Sequence, residues 1–409
     1  MPNRNCPICD SNENSLIKEI DLKTYDNHPL DKNYELVECN DCGFVFYNTN
    51  ITQEILDEYY TNQSKYDSKE VVSVGAGGIT ELDKVRLIDT AKIISDYVPD
   101  YNLSILDVGC ASGGLIDSLS KMGYINLTGL DPSSICIERV GKINKCKTIL
   151  GSILDDKLVI EEKFDVIILT HVLEHILNVK KLIIKLYDLL NENGIIYIEC
   201  PDKSKYHVNV HAPFQEFNTE HIKHFSLTSF QNLSSTMKID LIRNGLRTFK
   251  IENGKDYHAC YAVFKKSNKW EGQIKKETSD EDIDKYLLES KRQLDQILKI
   301  INNLSCNNII LYGIGQLAYK IVKVIDRSKK VIYVDGDSRN QHKTIFGNRI
   351  FSPNDLPYLS DENTCIIITS LISSDSIKRN INNIFYNSNI NFTKPDLISL
   401  NVIDNVTEI

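Results

Sequence analysis

From residue 104 onward the chain alternates short apolar runs with stretches in which apolar residues recur every three or four positions, so strands and helices follow one another. The runs at 105–109, 127–131, 148–150, 164–169 and 194–199 read as strands with helices between them. Strands so evenly apolar are buried on both faces, which predicts a doubly wound parallel sheet of the α/β class. Runs at 247–251 and 258–265 flank Asn253-Gly254 and read as an antiparallel hairpin. A second strand-loop-helix unit opens at 307–326, continues with strands at 331–335 and 365–369, and predicts a smaller α/β domain. Upstream, 52–66 reads as a short helix, and 82–97 as a longer one whose Leu82, Val85, Ile88 and Ile93 should pack on the sheet until Pro99 stops it. Between the two units, 266–282 reads as a charged surface linker. After it Ile283, Tyr286, Leu287, Ser290, Leu294, Ile297 and Ile301 give a long helix one apolar face.

The first strand runs into ILDVGCASGG at 105–114, where an acid is followed by a glycine loop that reopens as a helix. Gly109 and Gly113 permit a tight turn and close approach of a ligand to the backbone. Dinucleotide sites seat a pyrophosphate on a GxGxxG loop. Asp107, ahead of the first glycine, would repel such an anion but attract the amino group and sulfonium of S-adenosylmethionine. The second strand ends in Asp131, where a carboxylate can take both ribose hydroxyls of an adenosine. Ligands of such sheets lie beyond the carboxyl ends of the strands, which puts Ser152 and Thr170 at the site, with Cys110, Ala111, Pro132 and Ile153 beside them. The segments DVGCASGG, GLDPS at 129–133, GSI at 151–153 and FDVIILTHVLEHI at 164–176 resemble, in that order, the motifs of class I S-adenosylmethionine-dependent methyltransferases.

With 409 residues the chain exceeds one ordinary core and predicts two or three domains. A net charge of −9 gives no electrostatic basis for binding nucleic acid or an anionic membrane, and no uncharged apolar run spans a bilayer. A cytoplasmic protein with a small-molecule substrate is therefore expected. Among eleven cysteines, Cys6 and Cys9, then Cys39 and Cys42, have the spacing of two zinc knuckles. Four thiolates leave no open coordination position, so structural Zn2+ is the expectation. Cys110, Cys136, Cys146, Cys200, Cys260, Cys306 and Cys365 read as small buried hydrophobes of a reduced protein.

Between 201 and 230 the chain holds His207, His211, His221 and His224 with Glu216 and Glu220, after the fifth strand and so where an acceptor should lie. No HExxH pattern occurs, and no catalytic metal is expected. The thioether leaving a sulfonium is neutral, so what the protein must supply is removal of a proton from the attacking atom. Glu220-His221, with His175 across the cleft, is the candidate apparatus. Glu220 would hold the imidazole or a substrate hydroxyl; alternatively the pair caps the helix at 228–237 or pins the loop. Tyr60 and Tyr66 can reach over the cleft. In the second unit, 313–318 is a GxGxxA loop with Asp335 at the ribose-binding distance. Nothing near it looks like a hydride-transfer site, leaving a sugar nucleotide or a structural role.

Zinc knuckles, a class I core and a GxGxxA Rossmann-like domain in this order are similar to the three-domain sugar C-methyltransferases that act on nucleotide-linked 4-ketodeoxysugars. The resemblance implies domains at 1–70, 71–268 and 269–409, and places Tyr60 or Tyr66, His175, Glu220 and His221 around the sugar with His221 as base. It implies removal of the acidic proton beside a ketone and attack of the enolate on the methyl group. Asn218 stands among the substrate-lining positions where that family usually has tyrosine, and LYGIGQLAYKI replaces its Ala-rich, Lys-containing loop. O-methylation of a sugar or sugar-derived metabolite stays open beside C-methylation, as does a binding or scaffold protein with a vestigial cofactor fold. The oligomeric state is not legible.

Overall fold

The computed structural model describes residues 4–23, 25–30, 32–64, 77–78, 81–143, 146–250, 256–266, 273–277, 281–371, 373–388 and 395–400. It divides into two compact units built from separated stretches. The first comprises Met1–Ile20, Tyr34–Lys205 and Glu220–Asp280, and the second Asp21–Asn33, Tyr206–Thr219 and Glu281–Ile409.

A seven-stranded sheet forms the centre of the first unit. Its strands β1 (Ser104–Val108), β2 (Asn126–Asp131), β3 (Cys146–Leu150), β4 (Phe164–Thr170), β5 (Leu190–Pro201), β6 (Asp240–Lys250) and β7 (Asp256–Lys265) lie in the order β3-β2-β1-β4-β5-β7-β6. The first five are parallel, β7 is antiparallel to β5, and β6 to β7. The strand order reverses between β1 and β4, which opens a crevice at their carboxyl ends. Strict alternation fills both faces. Leu106, Ile167, Leu169, Ile196 and Ile198 meet helices Val179–Leu189 and Leu227–Met237 in one core. Ile105, Leu127, Val166, Ile168 and Tyr197 meet helices Glu81–Ser95 and Gly114–Met122 in the other.

Several expectations need correction. Helix Glu81–Ser95 exists, but Val85 and Ile88 are 62% and 45% exposed, while Leu87, Ala91 and Ile94 are buried. The cause is polar: Arg86 and Thr90 also face inward, where Arg86 lies 3.5 Å from the buried carboxylate of Glu199 and Thr90 accepts a hydrogen bond from Arg247 at 2.6 Å. Strand β6 begins well before position 247 and pairs along its length with β7, from Asp240 opposite Lys265 to Lys250 opposite Asp256. The turn at Asn253-Gly254 lies outside the described residues. Residues 273–277 are not a free linker, because Asn232 brackets Lys275 with two hydrogen bonds of 2.7 and 2.8 Å and the Glu277 N–H donates to Cys42 O at 3.1 Å.

Strands Asn14–Leu22, Lys32–Cys39, Val45–Asn48 and Lys223–His224 make a separate four-stranded sheet. The second unit holds a six-stranded sheet in the order Thr344–Ile345, Asn348–Phe351, Lys330–Val334, Asn308–Tyr312, Thr364–Ile368 and Asp396–Ser399, parallel except for its first pair. Helix Glu281–Asn302 buries Ile283, Tyr286, Ser290, Gln293, Ile297 and Ile301, close to the predicted stripe. Cys306 and Cys365 are joined in a disulfide rather than standing as separate thiols, since adjacent strands bring their Cα atoms to 6.0 Å, within bonding reach. Among the described residues no helix is long and apolar enough to cross a membrane.

Candidate active site

At the end of β1 the loop turns because Gly109 and Gly113 adopt left-handed backbone, with φ of 72° and 82°. Their missing side chains do not make room for a ligand, as the sequence suggested. A Cβ on Gly109 would stand 2.6 Å from Val172 Cγ2, and one on Gly113 would stand 2.7 Å from Ile143 Cδ1, so internal packing excludes both. Asp131, at the end of β2, accepts from Ala111 N and Ser133 N at 2.9 Å each. Burial nevertheless pushes its carboxyl up to about 6. Asp107 is buried, and its Oδ1 has no hydrogen-bond partner among the described residues. Burial first, then the charge of Asp131, push its carboxyl up to about 8, with Arg86 opposing. An orphaned acid beneath the loop and a half-used acid beside it fit the ammonium and ribose ends of S-adenosylmethionine.

The other candidates for this site differ in what they offer. The Cys110 thiol is turned inward, 2.9 Å from where a Gly129 Cβ would stand, so the loop gains only its backbone. Ser152 Oγ donates to Asp57 Oδ1 at 2.9 Å, an acid of helix Gln53–Asn62 that sequence reasoning passed over. Ile153 is buried, while Pro132 and Thr170 are half-buried near the ends of β2 and β4.

Beyond β4 the chain enters a 3-10 turn, Leu173–His175, that adjoins the glycine loop through Val172. Glu174 is 1% exposed, and neither carboxylate oxygen has a hydrogen-bond partner among the described residues. His171 Nδ1 lies 3.3 Å and His175 Nε2 3.9 Å from its Oε1. Burial raises the Glu174 carboxyl, but His171, His175 and His221 outweigh it and hold it at about 2. His175 Nδ1 is 2.9 Å from the carbonyl oxygen of Glu220, and a donor N–H there leaves Nε2 with a lone pair. The His175 and His221 ring centres are 5.1 Å apart, and Tyr60 meets His175 edge-on at 5.7 Å. The structure therefore brings together His175, His221, Glu220 and Tyr60.

The carboxylate of Glu220 points elsewhere than expected, accepting from Tyr59 Oη at 2.8 Å. The capping alternative also falls, because Ser226 and Ser229 cap helix Leu227–Met237 reciprocally. Asn218, His207, His211 and Glu216 belong to the second unit. Tyr66 lies outside the described residues. Sequence reasoning missed His171, Glu174 and Glu199. The last is a lone acid in the apolar strand IYIEC, fully buried between Tyr197 Oη at 2.8 Å, Arg247, Arg86 and His171 Nε2 at 3.4 Å. Burial and Arg86 lower the His171 pKa, but Glu174 and Glu199 win and it is raised.

Cys6 and Cys42 approach to 3.6 Å between sulfurs, Cys9 and Cys39 to 3.5 Å, and all four sulfurs lie within 4.8 Å of one another. A tetrahedron with arms of about 2.3 Å has edges of about 3.8 Å, so the four thiols fit one tetrahedral ion. In the second unit the 313–318 loop is closed by Asp335, which accepts from Ile314 N and Asp337 N at 2.7 Å each.

Residues 83–236 match the family described as methyltransferase domain. The ubiquinone biosynthesis O-methyltransferase of Rickettsia prowazekii (strain Madrid E) is 32% identical over 122 residues, 28% of this chain and 46% of the relative. That of Pelagibacter ubique (strain HTCC1062) is 32% identical over 124 residues, 30% of this chain and 51% of the relative. The chain thus spans about half the length of the curated relatives it matches. The crystal structure of magnesium protoporphyrin IX methyltransferase from Synechocystis PCC 6803 with bound SAH covers 53% of this chain and 100% of its own, at 13% identity and a TM-score of 0.40, too low to bear on the acceptor. The match across 83–236, falling on the loop and acids just described, establishes that the chain carries a class I S-adenosylmethionine-dependent methyltransferase domain.

Proposed function

We propose that the protein transfers a methyl group from S-adenosylmethionine to a sugar or nucleotide-linked sugar, at the carbon beside a ketone, with His221 removing the proton. The observation that carries this reading is the approach of His175 to His221 and to the Glu220 carbonyl, on a 3-10 turn that adjoins the glycine loop after β1 through Val172. S-adenosylmethionine supplies an electrophilic methyl on a sulfonium whose departure leaves a neutral thioether. Asp107 would hold its amino group and Asp131 its ribose, with 109–113, Pro132, 152–153 and Thr170 completing the wall. His175, fixed through Nδ1, would orient the acceptor, while Tyr60 would line it. Segments 1–70, 71–268 and 269–409 are the proposed zinc-binding, transferring and sugar-nucleotide-binding parts, with structural zinc on Cys6, Cys9, Cys39 and Cys42.

The curated relatives, named as O-methyltransferases, favour a second reading in which a hydroxyl of a sugar or sugar-derived metabolite is the acceptor. Incubation with methyl-labelled cofactor and a nucleotide-linked 4-ketodeoxysugar decides between them. Label on carbon, with kcat about 100-fold lower or less in His221→Ala, supports the first reading. Label on oxygen supports the second, and label on neither acceptor overturns both.

A further inference from the structure

Glu174 is a buried acid that the methyl-transfer chemistry above does not use. Its carboxylate is 1% exposed and neither oxygen has a hydrogen-bond partner among the described residues; His171 faces Oε1 at 3.3 Å from one side, while His175 and His221, from two separate segments, approach from the other. We propose that Glu174, His175 and His221 form a second metal site, of imidazole-carboxylate type, that takes a first-row divalent cation such as Zn2+ or Mn2+.

One ligand atom from each residue lies within 4.8 Å of the other two. Three donors on arms of about 2.1 Å stand about 3.4 Å apart in a tetrahedral site, so binding needs the side chains to close by up to about 1.4 Å. The His175 ring already has the arrangement metal-binding histidines use, with Nδ1 on a backbone carbonyl at 2.9 Å and Nε2 facing the carboxylate. The backbone fixes the third ligand's segment too, since Ile222 N donates to Glu174 O at 3.0 Å and ties the two ligand-bearing stretches together. Two imidazoles and one carboxylate suit first-row transition ions and leave coordination positions open.

The inference rests on the acceptor lying over this cluster, and it gives His221 a different task. An acceptor hydroxyl bound at an open position is acidified: its O–H bond breaks, the proton passes to water, and the oxygen attacks the methyl carbon as the carbon–sulfur bond breaks. A ketone oxygen bound there acidifies the adjacent C–H in the same way. His221 then lends its lone pair to the ion instead of accepting the proton.

The 409-residue protein stripped by chelator and refilled with Co2+ tests this, with metal counted and the absorption spectrum recorded. Two equivalents are expected, one with thiolate charge-transfer bands from the cysteine cluster and one with only weak ligand-field bands. Glu174→Gln and His221→Ala should each drop the count from two to one and keep the thiolate bands. One thiolate-bound equivalent in the unaltered protein overturns the site, as does a second equivalent that survives both substitutions. SAH titration of the same samples separates the two ideas: SAH binding with one metal sinks the site alone, and two metals without SAH binding sink the methyltransferase reading alone.

Discussion

The two glycine loops of this chain are tied in the same way and differ beneath. In the first, Gly109 N donates to Leu130 O at 2.7 Å and Asp131 accepts two amides. In the second, Gly313 N donates to Val334 O at 2.9 Å and Asp335 accepts two amides. Two positions before the first glycine, one loop has Asp107 with an orphaned oxygen and the other has buried Leu311. A Cβ would stand 2.6 Å from Val172 at Gly109 and 3.1 Å from Ser370 at the equivalent Gly313, whereas at Gly315, two positions further on, it would meet nothing within 4 Å. The acid ending the second strand thus closes a strand-to-helix turn whether or not a cation is bound, and the group under the loop decides which ligand is welcome. An acid at ribose-binding distance is therefore weak evidence by itself.

Substitution should separate the crowded, left-handed glycine positions from the open one most sharply. Gly109→Ala combines left-handed backbone with a methyl group 2.6 Å from Val172 and should lower stability by about 3 kcal/mol in denaturant unfolding. Gly315→Ala, on extended backbone facing open space, should change it by no more than about 0.5 kcal/mol. Equal losses would break the contrast.

The next effect is on pH dependence. Folding raises the Asp107 carboxyl to about 8, so its stabilising contribution, full below its ordinary range, is lost as the pH rises through about 8. A cationic ligand binds the ionised form, so SAH affinity measured by calorimetry should rise about fivefold between pH 7 and 8. Asp107→Asn should flatten that slope, and an unchanged slope would detach Asp107 from the ligand.

The smallest effect concerns the second unit. Burial pushes the Lys320 ammonium down to about 8, so stability present at high pH is lost as the pH falls through about 8. Lys320→Met should recover about 1 kcal/mol at pH 7 in thermal unfolding and leave SAH binding unchanged. Weakened SAH binding would show that the units do not divide the work as described.

The sheet was legible because β1, β2 and β4 are apolar on both faces, a pattern with one architectural solution. The face of helix Glu81–Ser95 was not, because it is set by Arg86 and Thr90 meeting Glu199, and a buried acid looks like any other acid in sequence. His175, Glu220 and His221 were legible as residue types in the segments that follow β4 and β5. Glu174 was not, since a glutamate on a single turn reads as solvated and only tertiary burial makes it an anion under three histidines. Likewise Tyr59 rather than Tyr60 reaches Glu220, a difference of one step round a helix that composition cannot resolve.

Calorimetric titration with SAH of the unaltered protein, Asp131→Ala and Asp335→Ala decides whether the first glycine loop holds the cofactor. One micromolar site is expected, weakened at least about 100-fold by Asp131→Ala and unchanged by Asp335→Ala. Absence of binding by folded, zinc-loaded protein, or loss of binding in Asp335→Ala but not in Asp131→Ala, would contradict that expectation.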